Sequence, residues 1–260
     1  MRAQGPDLPR GVVGDTVDWL TDGAHWRGDD GVPALLVQHL QVTAVAVLVA
    51  TAVALPIGIV LGHARRGGAV VTAVGNLTRA VPTFGLLVLL TAGPLGFSYS
   101  TQVVALAVFA VSPLLTNTYA GVAGVDRDAV EAATGLGMSG RQLVARVELP
   151  LALPLIATGL RTAAVQTVAT ATLVAFVGGG GLGLVLNLGF GQGPAGRGAV
   201  IAGAVLVASL ALLTELLLGR LQVAVTPGPR RKVRPGATAG KASTGPAAPG
   251  FAPGFAPGRV

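Results

Sequence analysis

Long apolar runs separated by short polar segments dominate the sequence from about residue 34 onward. Each run has about the 20 residues that an α-helix needs to cross the hydrocarbon core of a bilayer. The runs are continuous and do not alternate between apolar and polar positions, which is typical of membrane-spanning helices and not of barrel strands. The pattern predicts an all-α, polytopic membrane protein with about five transmembrane helices, at residues 39–61, 70–92, 101–123, 155–178 and 199–219.

Proline and glycine interrupt this pattern. Pro82 and Pro113 lie inside the second and third predicted spans, where proline kinks or breaks a helix. Residues 178–198 are rich in glycine and are predicted to be irregular. The glycine run at 178–183 is expected to form either a re-entrant turn before the fifth span or a flexible outer loop.

Three regions follow from the distribution of polar residues. Residues 1–33 carry six of the eleven acidic residues and are predicted to be an extracytoplasmic segment, with a short amphipathic helix near Val12–Leu20. Residues 34–222 hold the predicted spans and form the transmembrane domain. Residues 223–260 are basic and rich in Pro, Gly and Ala, a composition that cannot bury a core, so a disordered cytoplasmic tail is predicted.

The composition excludes several classes of protein. Hydrophobic residues make up 52% of the chain and charged residues only 11%, against about 25% charged residues in an ordinary soluble domain, which argues against a water-soluble enzyme. The net charge of +7 does not indicate a nucleic-acid partner, because the basic residues do not cluster on a soluble surface. The chain has no cysteine, and its three histidines lack metal-ligand spacing, so no metal site is expected. His39 and His63 are expected at the membrane interface.

Lysine and arginine positions predict the orientation of the chain in the membrane. Five crossings place the two termini on opposite sides, and the side richer in Lys and Arg is the cytoplasmic one. One side carries twelve of the eighteen basic residues and the other carries four, while Arg79 and Arg161 fall inside the predicted spans. The N-terminus is therefore predicted outside, and the C-terminus and residues 124–148 are predicted in the cytoplasm.

The charged insert at residues 124–148 is predicted to form two short helices joined by a turn. Asp126 is suited to cap the first helix, and Gly137 follows its end. Ser139 and Gln142 have the spacing of a capping box, which predicts the start of the second helix. Such an exposed hairpin is a candidate docking element, and an ordinary polar loop is the alternative interpretation.

The same insert resembles the signature loop of bacterial ABC importer permeases. That loop reads Glu-Ala-Ala, three residues, Gly, nine residues, an aliphatic residue, any residue, and Leu-Pro. The matching residues here are Glu131, Ala132, Ala133, Gly137, Val147, Leu149 and Pro150. Valine stands where isoleucine is commoner at the aliphatic position. The resemblance covers residues 33–219 and implies the type I ABC importer permease fold, with a cytoplasmic coupling helix in this loop.

Four further runs resemble the permeases of osmoprotectant importers, which carry glycine betaine, choline, carnitine or proline betaine. They begin at Arg79, Ser112, Gly159 and Gly178 and read RAVPT, SPLLTNT, GLRTA and GGGGLG. The resemblance implies a location in the bacterial cytoplasmic membrane. It also implies four kinds of partner: an ABC ATPase subunit, an extracytoplasmic substrate-binding protein, a second permease subunit in a homo- or heterodimer, and membrane lipid.

The resemblance further implies that ATP hydrolysis and transport are divided between chains. By this resemblance, the short helix around Glu131 is expected to sit in a groove of the ATPase and to transmit its closure to the spans. This chain has no phosphate loop of the Gly-x-x-x-x-Gly-Lys-Ser/Thr type, so it is not expected to be an enzyme. No cofactor is expected in the chain, because ATP is bound by the partner subunit.

Polar residues within the predicted spans are candidates for the translocation path: Asn117, Gln166, Thr170, Arg79 and Arg161. The three neutral side chains are equally suited to join helices by hydrogen bonds. One interpretation of the two arginines is that they line the path or a gate, with Glu215 as a candidate partner. The other is that each span begins a few residues later than the predicted bounds, so that both side chains reach the cytoplasmic interface.

The predicted spans are poorly equipped for a high-affinity cation site. A quaternary ammonium group is bound by aromatic cages or by a carboxylate, and the first four spans hold few aromatic residues and no acidic residue. A low-affinity path supplied by an external binding protein fits better. Two alternatives stay open: a permease of the same superfamily for an amino acid or an oxyanion, and an ATP-independent secondary transporter, for which the expected inverted repeats or intramembrane acids are not found.

Overall fold

The computed structural model describes residues 11–225, and all regular structure within that range is helical. In chain order the helices are α1 (Val12–Thr21), α2 (Val32–His63), α3 (Gly68–Ala80), α4 (Thr83–Ala92), α5 (Tyr99–Ala123), α6 (Arg127–Gly135), α7 (Gly140–Leu143), α8 (Leu149–Thr170), α9 (Gly183–Gly191) and α10 (Arg197–Val225). Short 3-10 segments cover Gly23–Trp26, Ala171–Val177 and Gly193–Gly196, and a π-helical turn covers Val144–Glu148.

The helices confirm the predicted all-α, polytopic class. Within residues 11–225, four helical stretches are long and apolar enough to cross a membrane, and a fifth results if α3 and α4 count as one bent span. Helix α1 coincides with the predicted N-terminal helix. Helix α10 runs through Val225, a few residues past the predicted start of the tail, and the rest of residues 223–260 lies outside the described residues.

The second predicted span, residues 70–92, is not one continuous helix. Helices α3 and α4 meet at an angle of 79°. Pro82 has no N–H to donate, and the residue before a proline is disfavoured in the helical region. Accordingly Val81 has ψ 119° and Pro82 has ψ 120°, both outside the helical region. Pro113, in contrast, lies within the continuous helix α5.

The fourth predicted span, residues 155–178, begins too late. A continuous helical stretch runs from Gly140 to Val177, so the second helix of the predicted hairpin is the first turn of this span. The π-helical turn explains how the helix continues past Pro150, because the N–H of Leu149 bonds to the carbonyl of Val144, five residues back. The wider turn accommodates a proline that would otherwise break the helical hydrogen-bond ladder.

The glycine-rich stretch at 178–198 is more ordered than predicted, because it contains α9. Gly178 and Gly181 adopt φ values of +78° and +85°, which most other residues avoid, and they turn the chain directly into this helix. Gly189 has its backbone against the backbone of Gly196, with no room for a Cβ atom. Glycine therefore permits close packing here.

A stripe of small residues on α2 packs the two central helices together. Ala46, Ala50, Ala54, Gly58 and Gly62 recur every fourth residue and are all buried. This spacing places them on one face of the helix, and small residues allow helix backbones to approach closely in membranes. A Cβ atom on Gly58 would lie 2.7 Å from Cβ of Thr118 in α5, and one on Gly62 would lie 2.7 Å from Cβ of Val122.

Other helices are arranged around this central pair. Helix α5 also packs against α8, where a Cβ on Gly159 would lie 2.8 Å from Cβ of Asn117. A second buried cluster joins the N-terminal end of α2 to α9 and α10, and it includes Val32, Leu35, Leu182, Val185 and Ala199. Helix α1 packs on α10 near Gly198.

We expect Gly58→Ala to destabilise the bundle by about 1–3 kcal/mol, the usual cost of overpacking a core. The added methyl group would overlap Thr118, and the backbones of α2 and α5 would have to separate. Gly191→Ala is the matched control, because a Cβ there meets no atom within 4 Å. Thermal unfolding of the detergent-solubilised protein measures both, and equal midpoints for the two variants would contradict the packing argument.

Candidate functional site

Helix α6 stands in the connection between α5 and α8 and carries the first part of the signature loop. The carboxylate of Asp126 caps its start by accepting a hydrogen bond of 3.0 Å from the N–H of Asp128, as predicted. Glu131 and Ala132 are exposed, whereas Ala133 is buried. The helix therefore presents one face outward and rests on the protein with the other.

Gly137 ends α6 with a defined hydrogen-bond pattern. Its φ is +81°, its N–H bonds to the carbonyl of Thr134 at 2.9 Å, and the N–H of Met138 bonds to the carbonyl of Ala133 at 3.2 Å. This pair of bonds is a Schellman motif, in which the residue with positive φ is usually glycine. The glycine of the signature loop is thus explained by the left-handed conformation that stops the helix.

The remaining loop residues connect α6 to the long helix that follows it. The N–H of Ser139 donates to Oε1 of Gln142 at 2.9 Å, which is half of the predicted capping box. Val147 and Leu149 are half-buried, and Pro150 is exposed. The loop residues after Gly137 are therefore part of the same helical stretch as α8.

Two side-chain contacts tie this connection to the end of α2, and the sequence analysis did not anticipate either. Nδ1 of His63 donates to Oε2 of Glu148 at 2.8 Å, and the side chain of Glu148 is only 3% exposed. Nη2 of Arg65 donates to the carbonyl of Val125 at 2.7 Å. Glu148 is the variable position of the signature pattern, so the pattern gave no reason to single it out.

A polar cavity of about 110 Å³ lies between α3, α5 and α8. It brings together three of the five predicted path residues, Arg79, Asn117 and Gln166. Thr116 and Thr162 add hydroxyl groups to the lining, and Phe109 adds an aromatic ring. Residues 112–117 occupy the central turns of α5, which runs from Tyr99 to Ala123, so the cavity lies at the middle of that span.

The other two predicted path residues do not line this cavity. Nε of Arg161 lies 3.3 Å from Oε1 of Glu215 in α10, so the partner proposed from the sequence is the observed one. Thr170 ends α8. The helical stretches that carry the two arginines begin at Gly68 and Gly140, earlier than the predicted spans.

The structure encloses His39 between helices. It is fully buried, and its Nε2 donates to the carbonyl of Val168 at 2.9 Å, which links α2 to the end of α8. The neighbouring Gln38 accepts a hydrogen bond of 3.2 Å from the N–H of Gly181. The N-terminal end of α2 thus holds the turn that leads into α9.

The fold and these two sites define a polytopic membrane protein with an exposed capped helix and an internal polar cavity. Residues 54–226 match the family described as binding-protein-dependent transport system inner membrane component. The chain belongs to this family of ABC transporter permeases, which are membrane subunits and not themselves catalytic.

Similar curated proteins are osmoprotectant permeases. The chain is 34% identical to the glycine betaine/carnitine/choline transport system permease protein OpuCB of Bacillus subtilis (strain 168), over 73% of this chain and 86% of that protein. It is 36% identical to the carnitine transport permease protein OpuCB of Listeria monocytogenes, over 76% and 90%. It is 31% identical to the osmoprotectant import permease protein OsmW of Salmonella typhimurium, over 82% and 98%.

Among solved structures, the chain resembles an inward-facing conformation of the MetNI methionine ABC transporter. The TM-score is 0.64 at 24% sequence identity, over 75% of this chain and 96% of that chain. This similarity confirms the type I ABC importer permease fold that the resemblance implied.

We expect Gly137→Ala to loosen the end of α6, because a residue with a Cβ costs about 1–2 kcal/mol in the left-handed conformation. No atom lies within 4 Å of the added Cβ, so the effect is one of backbone strain and not of collision. Gly135→Ala is the matched control: its site is equally open, its φ is not positive, and alanine favours helix. Hydrogen exchange of residues 127–138 measures both, and unchanged protection in Gly137→Ala would contradict the capping role.

Proposed function

We propose that this protein is the transmembrane permease subunit of an ATP-driven importer for osmoprotectants such as glycine betaine, choline or carnitine. In this proposal it forms the translocation path and couples to a cytoplasmic ATPase through the loop that contains Glu131. The observation that carries the coupling role is the geometry of α6, which is exposed on its Glu131 side and held at both ends.

The coupling role requires that a displacement of α6 is transmitted to the membrane-spanning helices. Helix α6 is too short to be stable alone in water, and its capped ends and the buried Ala133 support its helical form. The two contacts at Glu148 and Val125 connect the loop to the end of α2, and the continuous helix from Gly140 connects it to α8. A displacement of α6 by an ATPase would therefore move α2 and α8.

The proposed division of tasks places ATP on the partner subunit, and the permease itself carries no cofactor. An extracytoplasmic binding protein would deliver the solute, and a second permease subunit would complete the path. The positive-inside distribution of Lys and Arg supports an N-terminus outside and a cytoplasmic C-terminus, which puts α6 on the ATPase side of the bacterial cytoplasmic membrane.

The substrate class is supported by the relatives, whose names refer to glycine betaine, carnitine and choline. A permease of the same family for an amino acid or an oxyanion is the alternative. One observation favours it: the cavity lining includes a cationic side chain, Arg79, and no carboxylate. Both proposed permeases would couple through the same loop, so the two proposals differ only in the solute that is transported.

We expect Glu131→Arg to abolish uptake and to uncouple the ATPase while leaving membrane insertion intact, because Glu131 is exposed on α6 and takes no part in its folding contacts. Asp29→Arg makes the same charge reversal in the exposed N-terminal segment and should retain coupling. ATPase activity and uptake are measured with the assembled importer in proteoliposomes. Normal uptake by Glu131→Arg would exclude docking through α6, and uptake by the permease without any ATPase would establish a secondary transporter instead.

Deletion of the gene should remove the uptake of at least one of glycine betaine, choline and carnitine under salt stress. The measurement is uptake of each radiolabelled solute by wild-type and deletion cells, with re-expression of the chain as the control. Unchanged uptake of all three solutes in the deletion strain would refute the osmoprotectant proposal and leave the alternative solutes.

A further inference from the structure

The turn between α2 and α3 reaches both ends of the α6 loop, residues 124–148. Nδ1 of His63, the last residue of α2, donates to Oε2 of Glu148 at 2.8 Å, directly before α8 begins. Nη2 of Arg65 donates to the carbonyl of Val125 at 2.7 Å, just after the end of α5. Two neighbouring side chains of one turn therefore contact the start and the end of the same loop.

Arg65 makes its contact from a backbone conformation that is unfavourable for arginine. Its φ is +49°, and within residues 11–225 it is the only residue other than glycine with a positive φ. In the left-handed region the Cβ atom lies close to the following carbonyl oxygen, so glycine or asparagine is the usual residue there. Strained backbone positions persist where the surrounding structure holds them, and they cluster at functional elements. The conformation of Arg65 thus points to a role for its side chain beyond reversal of the chain.

The contact between His63 and Glu148 is both directional and costly to break. The side chain of Glu148 is only 3% exposed, and a buried carboxylate that loses its partner is strongly destabilising. On the other side of the imidazole ring, Nε2 lies 3.7 Å from the position that a Cβ on Gly140 would take, at the start of α7. The ring therefore lies beside two parts of the segment that leads from the α6 loop into α8.

The turn is itself fixed to the central helix α5. Gly62 precedes His63, and a Cβ on Gly62 would lie 2.7 Å from Cβ of Val122. Gly68 begins α3, and a Cβ there would lie 2.8 Å from the hydroxyl oxygen of Tyr119. Because the chain packs closely on α5 both before and after the turn, the two contacts attach the α6 loop to a firmly packed support.

We infer that His63, Arg65 and Glu148 are positioning residues for coupling, which hold both ends of the α6 loop so that α6 moves together with α2 and α5. This inference rests on the proposed function and deepens it, because it assigns the coupling to residues outside the exposed face of α6. Without the two contacts, the connections on either side of α6 would flex and absorb its displacement. ATP hydrolysis would then continue with little transport.

The first test is Arg65→Asn, with Arg66→Asn as the matched control from the same turn. Asparagine tolerates the left-handed conformation but is too short to reach the carbonyl of Val125, so the variant removes the contact without adding strain. Arg66 is exposed and its φ is not positive. Arg65→Asn should lower the amount of solute carried per ATP hydrolysed by about threefold or more, within the range by which single residues change coupling between sites. Arg66→Asn should leave this ratio unchanged.

The second test changes the contact at Glu148. His63→Asn keeps an N–H donor near the position of Nδ1 and should retain part of the coupling, whereas His63→Leu removes the donor. Because His63→Leu alone leaves a buried carboxylate unpaired, it is combined with Glu148→Leu. Replacing both partners by apolar side chains is often nearly neutral for stability, but apolar contacts are non-directional. The double variant should therefore insert and unfold like the wild type while its uptake per ATP falls as in Arg65→Asn.

All variants are measured in the complete importer in proteoliposomes, with ATP hydrolysis and the uptake of radiolabelled glycine betaine, choline and carnitine, supplied together, recorded in the same sample. Thermal unfolding of each detergent-solubilised variant is measured alongside. A lower uptake per ATP at an unchanged unfolding midpoint, in both Arg65→Asn and the double variant, supports the inference. A merely structural role predicts instead that uptake and ATP hydrolysis fall by the same factor together with the midpoint, and this result overturns it.

The remaining outcomes separate the inference from the proposed function. If Glu131→Arg uncouples the importer while Arg65→Asn or the double variant keeps the wild-type uptake per ATP, the inference is overturned and the proposed function stands. The inference requires both ends of the loop to be held, so a loss of coupling in only one of the two tests contradicts it. A wild-type importer that carries none of the three solutes would refute the proposed function and this inference with it.

Discussion

The close contact between α2 and α5 is the constraint on which the rest of the structure depends. Five small residues at every fourth position of α2 let the backbones approach, and any Cβ at Gly58 or Gly62 would overlap α5. Between helices in a membrane the hydrophobic effect adds little, so packing of this kind holds the bundle together. Because α5 then packs against α8 at Gly159, the central helix carries both the cavity and the loop that follows it.

The loop after α5 combines an exposed surface with a fixed attachment. Glu148 is almost fully buried, and a buried carboxylate is tolerated only when it is paired, here with His63. The contact couples the end of α2 to the start of the fourth span across 85 residues of sequence. The proposed transmission from an ATPase therefore uses two spans at once, and the exposed face of α6 is left free for docking.

The break between α3 and α4 lies on an exposed face of the described bundle, where Leu77, Val81 and Pro82 are all exposed. A continuous helix would have placed residues 77–83 in a regular ladder, whereas Pro82 turns the chain and leaves an apolar cavity beside the break. Arg79 lies one turn before this break and lines the adjoining polar cavity.

The sequence by itself determined the membrane class and the cap residues Asp126 and Gly137 of the exposed helix. It also determined the number of spans, apart from whether the bent pair α3 and α4 counts as one span. These features depend on local composition and spacing, which a single chain displays directly. The tertiary structure alone decided which polar residues meet: Arg79, Asn117 and Gln166 come from three helices, and His63 finds Glu148 from far along the chain. It also decided where helices end, because the π-helical turn before Pro150 and the break at Pro82 are two different backbone responses to the same residue type. The spacing of small residues on α2 was present in the sequence, yet only the contact with α5 showed that these positions are packed against a helix and not exposed to lipid.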